Sequence, residues 1–374
     1  MTKGKNAGQP GRKGEHMKKI IAMLLMLTLI ASTMPGFAAT TIDPTQDRGI
    51  VPQGQNAEGT WDVNPVIEGQ NPVTGRPYDG DYIPIMINVD NVSAALPQWG
   101  IGDADLIYEL PIDNGGMTRL MALYTSVYPD RVGPVRSARI LHADMRQEWG
   151  AAWVFCGGQE AEGSNVFARI RELGLYDDDV NLAFNLQGQN GGSFNASRSS
   201  RKSPHHHQVK LDELYDFLAE SGHTFTQRPF LFTDEAAEGD DAAKVIMNFD
   251  NGNSDSYYVY DESCNDYARY RTKTDKPYVD ENDPESVLTY NNIIVQWTEL
   301  GTYNGKKDRP KLTEVGEGNA DFFMNGKHVA GYWVRSDIND RTVFFDSEGN
   351  ENELQRGETW IIVASPKFLE VTYE

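Results

Sequence analysis

The chain has 374 residues, of which 39% are hydrophobic and 24% are charged, a composition typical of folded domains. Acidic residues outnumber basic ones by 55 to 34, which gives a formal net charge of −21. This surplus disfavours general binding to nucleic acid or to anionic membranes, because both partners are negatively charged. The length favours two hydrophobic cores over one, and the lack of a fixed-period repeat argues against a solenoid or propeller.

The first 38 residues have the pattern of a targeting segment. Residues 1–16 are polar and basic, and we interpret them as an upstream extension, either a false start or a vector-derived segment. Residues 17–38 predict a secretory signal peptide, in which two lysines precede an apolar run at 20–31. We expect cleavage after Ala38, because Gly36 and Ala38 place small residues at the −3 and −1 positions. The apolar run is shorter than the roughly 20 residues that span a bilayer, which favours a cleaved signal over a membrane anchor.

Removal of this signal leaves 28 basic and 54 acidic residues, a net charge of −26. No cysteine stands directly after the apolar run, so no thiol is placed to carry a lipid. We therefore expect an exported protein, extracellular or associated with the cell wall, with neither a lipid anchor nor a stable membrane span. The alternative is a short membrane anchor. Residues 39–70, rich in Pro, Gly, Gln and Asn, predict a flexible linker.

Residues 71–227 predict a mixed α/β domain. Apolar runs rich in β-formers predict strands at 83–89, 106–110, 120–125 and 152–156. Apolar residues three and four apart predict three helices, which contain Ala138, Leu141, Met145 and Trp149, then Val166, Phe167, Ile170 and Leu173, then Leu211, Leu214, Tyr215 and Leu218. The second helix is expected to end at Gly174 and the third near Gly222.

Residues 228–374 predict a smaller antiparallel β-rich domain, a barrel or a sandwich, packed on the first domain. Runs of β-branched and aromatic residues predict strands that include 245–249, 257–260, 293–297, 342–345 and 360–363. Asn325-Gly326 and Glu348-Gly349-Asn350 are expected at turn tips. The chain as a whole is therefore predicted to belong to the α+β class.

Cys156 and Cys264 are the only cysteines in the sequence. Export would permit a disulfide, but one pair does not indicate a disulfide scaffold. Cys156 lies in an apolar run and Cys264 in a polar one, so we expect two free thiols. Two isolated cysteines do not predict a metal site.

Several segments, taken in order, resemble the YerB-like family of exported lipoproteins. They are 71–77 (NPVTGRP), 87–91 (INVDN), 104–109 (ADLIYE), 115–119 (GGMTR), 157–158 (GG), 201–205 (RKSPH) and 357–361 (GETWI). The most specific segment is 133–139, Gly-Pro-Val-Arg-Ser-Ala-Arg, which is close to the family signature. The resemblance covers most of residues 71–365.

This resemblance implies two domains of unknown function on an extracytoplasmic protein of Gram-positive-type bacteria, and it carries over no catalytic residue. The chain departs from the family pattern in two places. The lipid-bearing cysteine is missing, which argues against membrane tethering. His206 stands where the family usually has Asn after Pro-His, so any role of that Asn does not carry over.

The turn at 133–139 is the strongest candidate site. Arg136 and Arg139 lie three residues apart where the first helix begins, and a helix N-terminus already carries unpaired N–H groups and partial positive charge. Two arginines there are unfavourable unless an anion lies among them, and a bound phosphate or carboxylate would suffice. The internal alternatives for that anion are Asp105, Glu109 and Asp113. Ser137 could cap the helix or bind the anion.

A second basic stretch comprises Arg198, Arg201, Lys202 and the three histidines at 205–207. Three consecutive histidines cannot all face one ion from a regular element, so a metal site is disfavoured. The stretch is either an anion-binding loop that converges on the arginines at 136 and 139 or a solvated, acid-paired loop.

Asp90 and Asn91 end the first predicted strand, where α/β folds often place ligand contacts. Asp90 could serve as a general base. Alternatively the pair forms a turn that caps the backbone, and the sequence favours this simpler reading.

We predict that the chain binds a phosphate- or carboxylate-bearing ligand or a wall component in one anion pocket. The candidate residues of this pocket are Asp90, Asn91, Arg119, Arg136, Ser137, Arg139, Lys202 and His205. The alternatives are an envelope hydrolase or transferase acting on a phosphorylated or glycan substrate, and a structural partner protein. We assign no catalytic residue, metal or cofactor, and we expect a cell-wall polymer or an envelope protein as partner, not nucleic acid.

Overall fold

The structure, a computed structural model, describes residues 39–374 except 115, 177–180 and 251. The upstream extension and the signal peptide predicted over 1–38 lie outside the described residues. Residues 40–374 form one compact unit.

The described residues contain three α-helices and four short 3₁₀ helices. The α-helices are α1 (Ile140–Gln147), α2 (Val166–Glu172) and α3 (Leu211–Ser221), and the 3₁₀ helices are Ser93–Ala95, Ile101–Asp103, Gly192–Phe194 and Tyr303–Gly305. The strands of the first half are β1 (Thr40–Thr41), β2 (Ile85–Asp90), β3 (Leu106–Pro111), β4 (Thr118–Tyr124), β5 (Arg131–Val132), β6 (Ala152–Phe155), β7 (Glu160–Ala161), β8 (Ser164–Asn165), β9 (Ala183–Asn185), β10 (Asn195–Ser197) and β11 (His207–Lys210).

The second half is described almost entirely by strands. They are β12 (Leu231–Thr233), β13 (Asp240–Asp241), β14 (Lys244–Phe249), β15 (Ser256–Asp261), β16 (Asp266–Arg271), β17 (Lys276–Pro277), β18 (Val279–Asp280), β19 (Asp283–Val287), β20 (Thr289–Tyr290), β21 (Asn292–Trp297), β22 (Leu300–Thr302), β23 (Pro310–Leu312), β24 (Gly316–Met324), β25 (Lys327–Arg335), β26 (Val343–Phe345), β27 (Glu353–Gln355), β28 (Thr359–Ala364) and β29 (Leu369–Tyr373).

A mixed central sheet of eleven strands runs through both halves of the chain. Its order is β13-β25-β24-β21-β28-β3-β4-β2-β6-β9, and β26 also pairs with β25. The halves meet where β28 pairs in parallel with β3, with Thr359 opposite Leu106. A second sheet is entirely antiparallel, in the order β1-β29-β14-β15-β16-β17, and β20 also pairs with β16.

The central sheet is buried on both faces, so its inner strands are almost continuously apolar. Side chains alternate between the faces along each strand. On β28, for example, Trp360 and Ile362 pack in the cluster that contains the antiparallel sheet and α3. Ile361 and Val363 pack in the other cluster, which contains α1 and α2.

Most predicted elements are confirmed within a few residues at each end. The predicted strands match β2, β3, β4 and β6 in the first half, and β14, β15, β21, β26 and β28 in the second. Gly222 caps α3 in the left-handed conformation, with φ of 72°. Asn325 and Gly326 both have positive φ, 53° and 69°, as the tight hairpin between β24 and β25 requires.

The fold class needs a correction, although the two-part layout fits. The first half is β-rich with three short helices and is not clearly a mixed α/β domain. The physical reason is that a second sheet covers much of one face of the central sheet, where a doubly wound fold would place helices. The second half is not a separate barrel or sandwich, because β21 and β28 join the central sheet in parallel.

Residues 39–70 lie against the second half, in place of the predicted flexible linker. β1 pairs with β29, and the Arg48 guanidinium donates to both carboxylate oxygens of Asp321 at 2.9 Å. The Trp61 ring packs on Phe345 with centroids 5.2 Å apart. Composition gave no sign of this, because an extended segment can dock through a few side chains without any apolar period.

Both cysteines are free thiols, Cys156 buried and Cys264 exposed. Within the described ranges, no helix has the length and apolar character needed to cross a bilayer.

Candidate functional site

The carboxyl ends of three parallel strands meet at one edge of the central sheet. β2, β6 and β9 are parallel neighbours, and they end at Asp90, Phe155 and Asn185. The N-terminus of α1 lies beside them, with Arg139 as its N-cap residue. Ligand sites are common at such an edge, because the loops that leave parallel strands converge there.

Backbone hydrogen bonds hold the arginine-bearing turn against this edge. The N–H of Arg136 donates to the carbonyl of Asn88 at 2.9 Å, and the N–H of Cys156 donates to the carbonyl of Arg136 at 3.0 Å. The N–H of Ala138 donates to the carbonyl of Gly157 at 2.9 Å. The turn is therefore fixed by both β2 and the loop after β6.

Arg119, Arg136 and Arg139 lie near one another at this edge, and we call them the arginine cluster. Asp90 is fully buried, and its Oδ2 lies 2.9 Å from Nε of Arg136. The same oxygen lies 2.9 Å from Nδ1 of His205. Arg119 is the cross-strand neighbour of Asp90, and its Nη1 donates to the carbonyl of Ser137 at 2.5 Å.

The N-cap of α1 adds the third arginine and a buried histidine. Nη1 of Arg139 donates to Oγ of Ser137 at 3.3 Å and to the carbonyl of Ala138 at 3.2 Å. The N–H of Arg139 donates to Nδ1 of His142 at 2.9 Å. His142 is fully buried, and its Nε2 has no hydrogen-bond partner among the described residues.

The electrostatics of the cluster reflect an excess of positive charge. Burial lowers the pKa of Arg119 to about 9; the carboxylate of Asp90 opposes this change, and the charges of Arg139 and Arg136 add to it. Burial and then the charge of Arg136 lower the pKa of Arg139. Burial, with Arg119 and Arg139 nearby, holds the pKa of His142 well below its ordinary value, so this imidazole is neutral at neutral pH.

The cluster keeps hydrogen-bonding capacity that the described residues do not satisfy. Nε of each of the three arginines is buried without a directed hydrogen bond, although that of Arg136 lies at ion-pair distance from Asp90. Buried donors of this kind are costly unless they find a partner. Of the internal alternatives, Asp105 binds Thr125 and Ser126, and Glu109 binds Asn91 and Thr118. Asp113 accepts from the backbone N–H of Met117 at 3.0 Å. The arrangement can therefore receive an external anion.

Two predicted pocket residues are not brought to the cluster. Asn91 lies on the other side of the strand end, where its Nδ2 donates to Glu109 at 3.0 Å, because successive side chains alternate. Lys202 is exposed, and no contact joins it to the cluster in the described part of the chain. Its loop is acid-paired, with Arg198 and Arg201 both bound to Glu281.

Sequence reasoning missed His142 and Cys156 as neighbours of the cluster. His142 could have been found, because it follows Arg139 by three residues on a predicted helix and so lies on the same face. Burial raises the pKa of Cys156 to about 11, and the nearby Arg136 lowers it only in part, so this thiol is protonated at neutral pH. No group of three or more His, Cys, Asp or Glu within the described ranges is arranged to hold a metal ion.

Comparisons with known proteins point to one family. Two family models match the chain: the N-terminal domain of the protein of unknown function DUF3048 over residues 73–224, and its C-terminal domain over residues 245–361. A Bacillus subtilis (strain 168) protein described as "Putative lipoprotein YerB" is 25% identical over 284 residues, which cover 74% of this chain and 80% of the relative. The crystal structure of YerB from Bacillus subtilis matches with a TM-score of 0.64 at 21% identity, over 79% of this chain and 96% of that one.

Proposed function

The chain belongs to the YerB-like family, whose two domains have no known function, and on that premise we propose that it is an extracytoplasmic envelope protein that binds an anionic ligand at the arginine cluster. The description of the relative as a lipoprotein supports an envelope location. The signal predicted at 17–38, with no cysteine directly after it, supports a mature form that is released or wall-associated. The two parts of the chain, 71–227 and 228–374, correspond in this proposal to the two family domains.

One observation carries the binding proposal: among the described residues, only one of the three neighbouring guanidiniums, that of Arg136, is in direct contact with a carboxylate, that of Asp90. A phosphate or carboxylate group would supply the missing negative charge and accept from the unpartnered Nε groups. The N-terminus of α1 favours the same charge. Asp90 fixes Arg136, so the ligand meets a preorganised cluster.

The proposal is tested by thermal unfolding with and without inorganic phosphate. A ligand at about 100 times its Kd stabilises the folded state by about 2.7 kcal/mol, which raises Tm by several degrees. We expect this rise in the native protein and its loss in Arg136→Gln and Arg139→Gln. Arg198→Gln is the matched control, because Arg198 is bound to Glu281. An equal rise in all four proteins would contradict binding at the cluster.

A hydrolase or transferase is the second candidate function, and the contact between Asp90 and His205 favours it. Asp90 Oδ2 lies 2.9 Å from His205 Nδ1, an arrangement that orients the imidazole and leaves Nε2 for proton transfer. Product formation from phosphorylated or glycan envelope substrates, followed by mass spectrometry, tests it. Turnover that disappears in His205→Gln while phosphate binding persists would support catalysis; absence of product throughout would leave binding as the function.

A further inference from the structure

A groove of about 470 Å³ lies beside the arginine cluster and is not explained by it. It runs between α1, α2 and the β22–β23 hairpin, and its volume is in the range of small-molecule sites. Ile140, the first residue of α1, lines the groove, and the residue before it is Arg139. The negative charge of Asp308, in the loop of that hairpin, partly opposes the lowering of the pKa of Arg139. The groove and the cluster are therefore neighbours.

The charged groups of the groove are paired and nearly balanced. Nε of Arg169 donates to Asp144 at 2.6 Å, and its Nη1 donates to Glu172 at 3.2 Å. Lys311 supplies a second cation, 5.9 Å from the centre of the Tyr303 ring. With two carboxylates and two cations, these groups do not select a ligand by net charge.

Glu314 differs from the other carboxylates that line the groove, because no other described side chain donates a hydrogen bond to its carboxyl group. Burial, together with the negative charge of Asp144, raises the pKa of Glu314 to about 8. The carboxyl is therefore mostly protonated at neutral pH, when it can both donate and accept hydrogen bonds. Hydroxyl groups of a ligand have the same dual capacity.

We propose that this groove binds a neutral polyhydroxyl group, a sugar or a polyol, of the same ligand whose anionic group binds the arginine cluster. This inference rests on the proposed function and names the ligand class as phosphorylated or carboxylated saccharides and polyols. Asp144, Glu172 and Glu314 offer oxygens to hydroxyl groups. Tyr303 offers an aromatic ring with a polar tip, which suits a ligand that is apolar on one face and polar at its edges.

Isothermal titration with three probes tests the inference: inorganic phosphate, glucose 1-phosphate and glucose. We expect glucose 1-phosphate to bind the native protein at least tenfold more tightly than inorganic phosphate. Glu314→Ala and Tyr303→Ala should abolish this advantage and leave the affinity for phosphate unchanged. Glu314→Gln keeps a neutral donor and acceptor and should retain most of it, which also guards against loss of folding. Glu317→Ala, an exposed carboxylate on β24, is the matched control.

The outcomes separate this inference from the function on which it rests. If phosphate and glucose 1-phosphate bind the native protein equally, the groove proposal is overturned and anion binding stands. If the groove variants weaken both probes alike, the groove makes no separate contact and the proposal is again overturned. Binding of glucose without either phosphate would support the sugar site and overturn the anion site. No binding of any probe would overturn both.

Discussion

Glu314 shows at the scale of one residue how a site can lower the stability of the fold that carries it. Its carboxyl faces Asp144 of α1, Arg169 of α2 and Arg335 of β25, and it also raises the pKa of Tyr303. Burial outweighs the attraction of the two arginines. The protonated form is therefore favoured in the folded chain, whereas the unfolded chain ionises near the ordinary value of 4.5.

This difference predicts how stability depends on pH. The folded state binds the proton more tightly, so the contribution of Glu314 is most favourable below pH 4.5 and is lost as the pH rises towards 8. Glu314→Gln cannot ionise, and we expect the Tm of the variant relative to the native protein to increase between pH 4.5 and 8. This increase is checked by measuring the Tm of the native protein and of Glu314→Gln in steps of pH, with Glu317→Gln as the control. A constant difference across this range would contradict a raised pKa of Glu314.

Candidate site residues could be predicted from sequence where a local pattern marked them. Arg136, Ser137 and Arg139 come from one turn, and Asp90 from the end of a predicted strand, so local pattern sufficed. Strand alternation already implied that Asn91 faces away from Asp90. The groove residues come from segments far apart in the chain, and no spacing in the sequence relates Asp144 to Glu314.

At the scale of elements, one of the contacts that hold the segment over 40–67 is made to a fully buried carboxylate. Asp321 accepts from Arg48 at 2.9 Å, from Nε1 of Trp297 at 2.6 Å, and lies 2.7 Å from Nε2 of His328. Burial raises the pKa of Asp321, but His328 and Arg48 outweigh that effect and lower it. A carboxylate in this position depends on its partners, because a buried charge without compensation is costly.

Arg48→Ala is therefore expected to destabilise the protein by about 3 kcal/mol, the low end for a broken buried pair because Arg48 keeps slight exposure. Denaturant unfolding at pH 7 measures the change. Lys244→Ala is the control, since its pair with Glu374 is exposed on both sides and should contribute less than about 1 kcal/mol. Equal effects of the two substitutions would mean that the segment is only loosely attached.

Helices, strands and turns could be predicted because each leaves a local period or a turn signal. The α3 helix and the β24–β25 hairpin are examples, since Gly222 and Asn325-Gly326 mark their ends. The order of strands in the central sheet could not be predicted. It depends on pairings between residues that are hundreds of positions apart, such as Leu106 with Thr359, and these follow from packing rather than local pattern.

At the scale of the whole molecule, β28 joins the two halves of the chain, because it lies between β21 and β3 in the central sheet. A buried arginine reinforces this region, because the Arg269 guanidinium of β16 lies 4.3 Å from the ring centres of both Trp360 and Tyr278. Its Nη2 also lies 3.6 Å from the Glu109 carboxylate on β3. The two family-matched parts therefore share one core.

Separation of the two parts should prevent folding of either. A chain of residues 71–227 would expose the β3 edge and the apolar face that now packs in the shared core, and about 25 cal/mol is lost for each Å² of apolar surface left in water. We expect this fragment and the fragment 228–374 each to lack cooperative unfolding when expressed alone. Circular dichroism recorded during heating measures whether each fragment unfolds cooperatively. A sharp native-like transition in either fragment would contradict a shared core.

The arginine cluster is a positive site on a chain of negative net charge. The chain is strongly acidic, yet screening over about 10 Å lets one local positive site act independently of that total. Binding at the cluster should therefore select small anions that reach a buried edge, and not long polyanions that meet the acidic surface.

The most direct test of the central claim is a crystal structure of the full mature chain grown with selenate, a tetrahedral oxyanion like phosphate and an anomalous scatterer. We expect an anomalous peak in contact with the guanidiniums of Arg119, Arg136 and Arg139, and no such peak in crystals of Arg136→Gln. A cluster that remains free of anion at saturating selenate, with its arginines hydrogen-bonded only to protein and water, would contradict it.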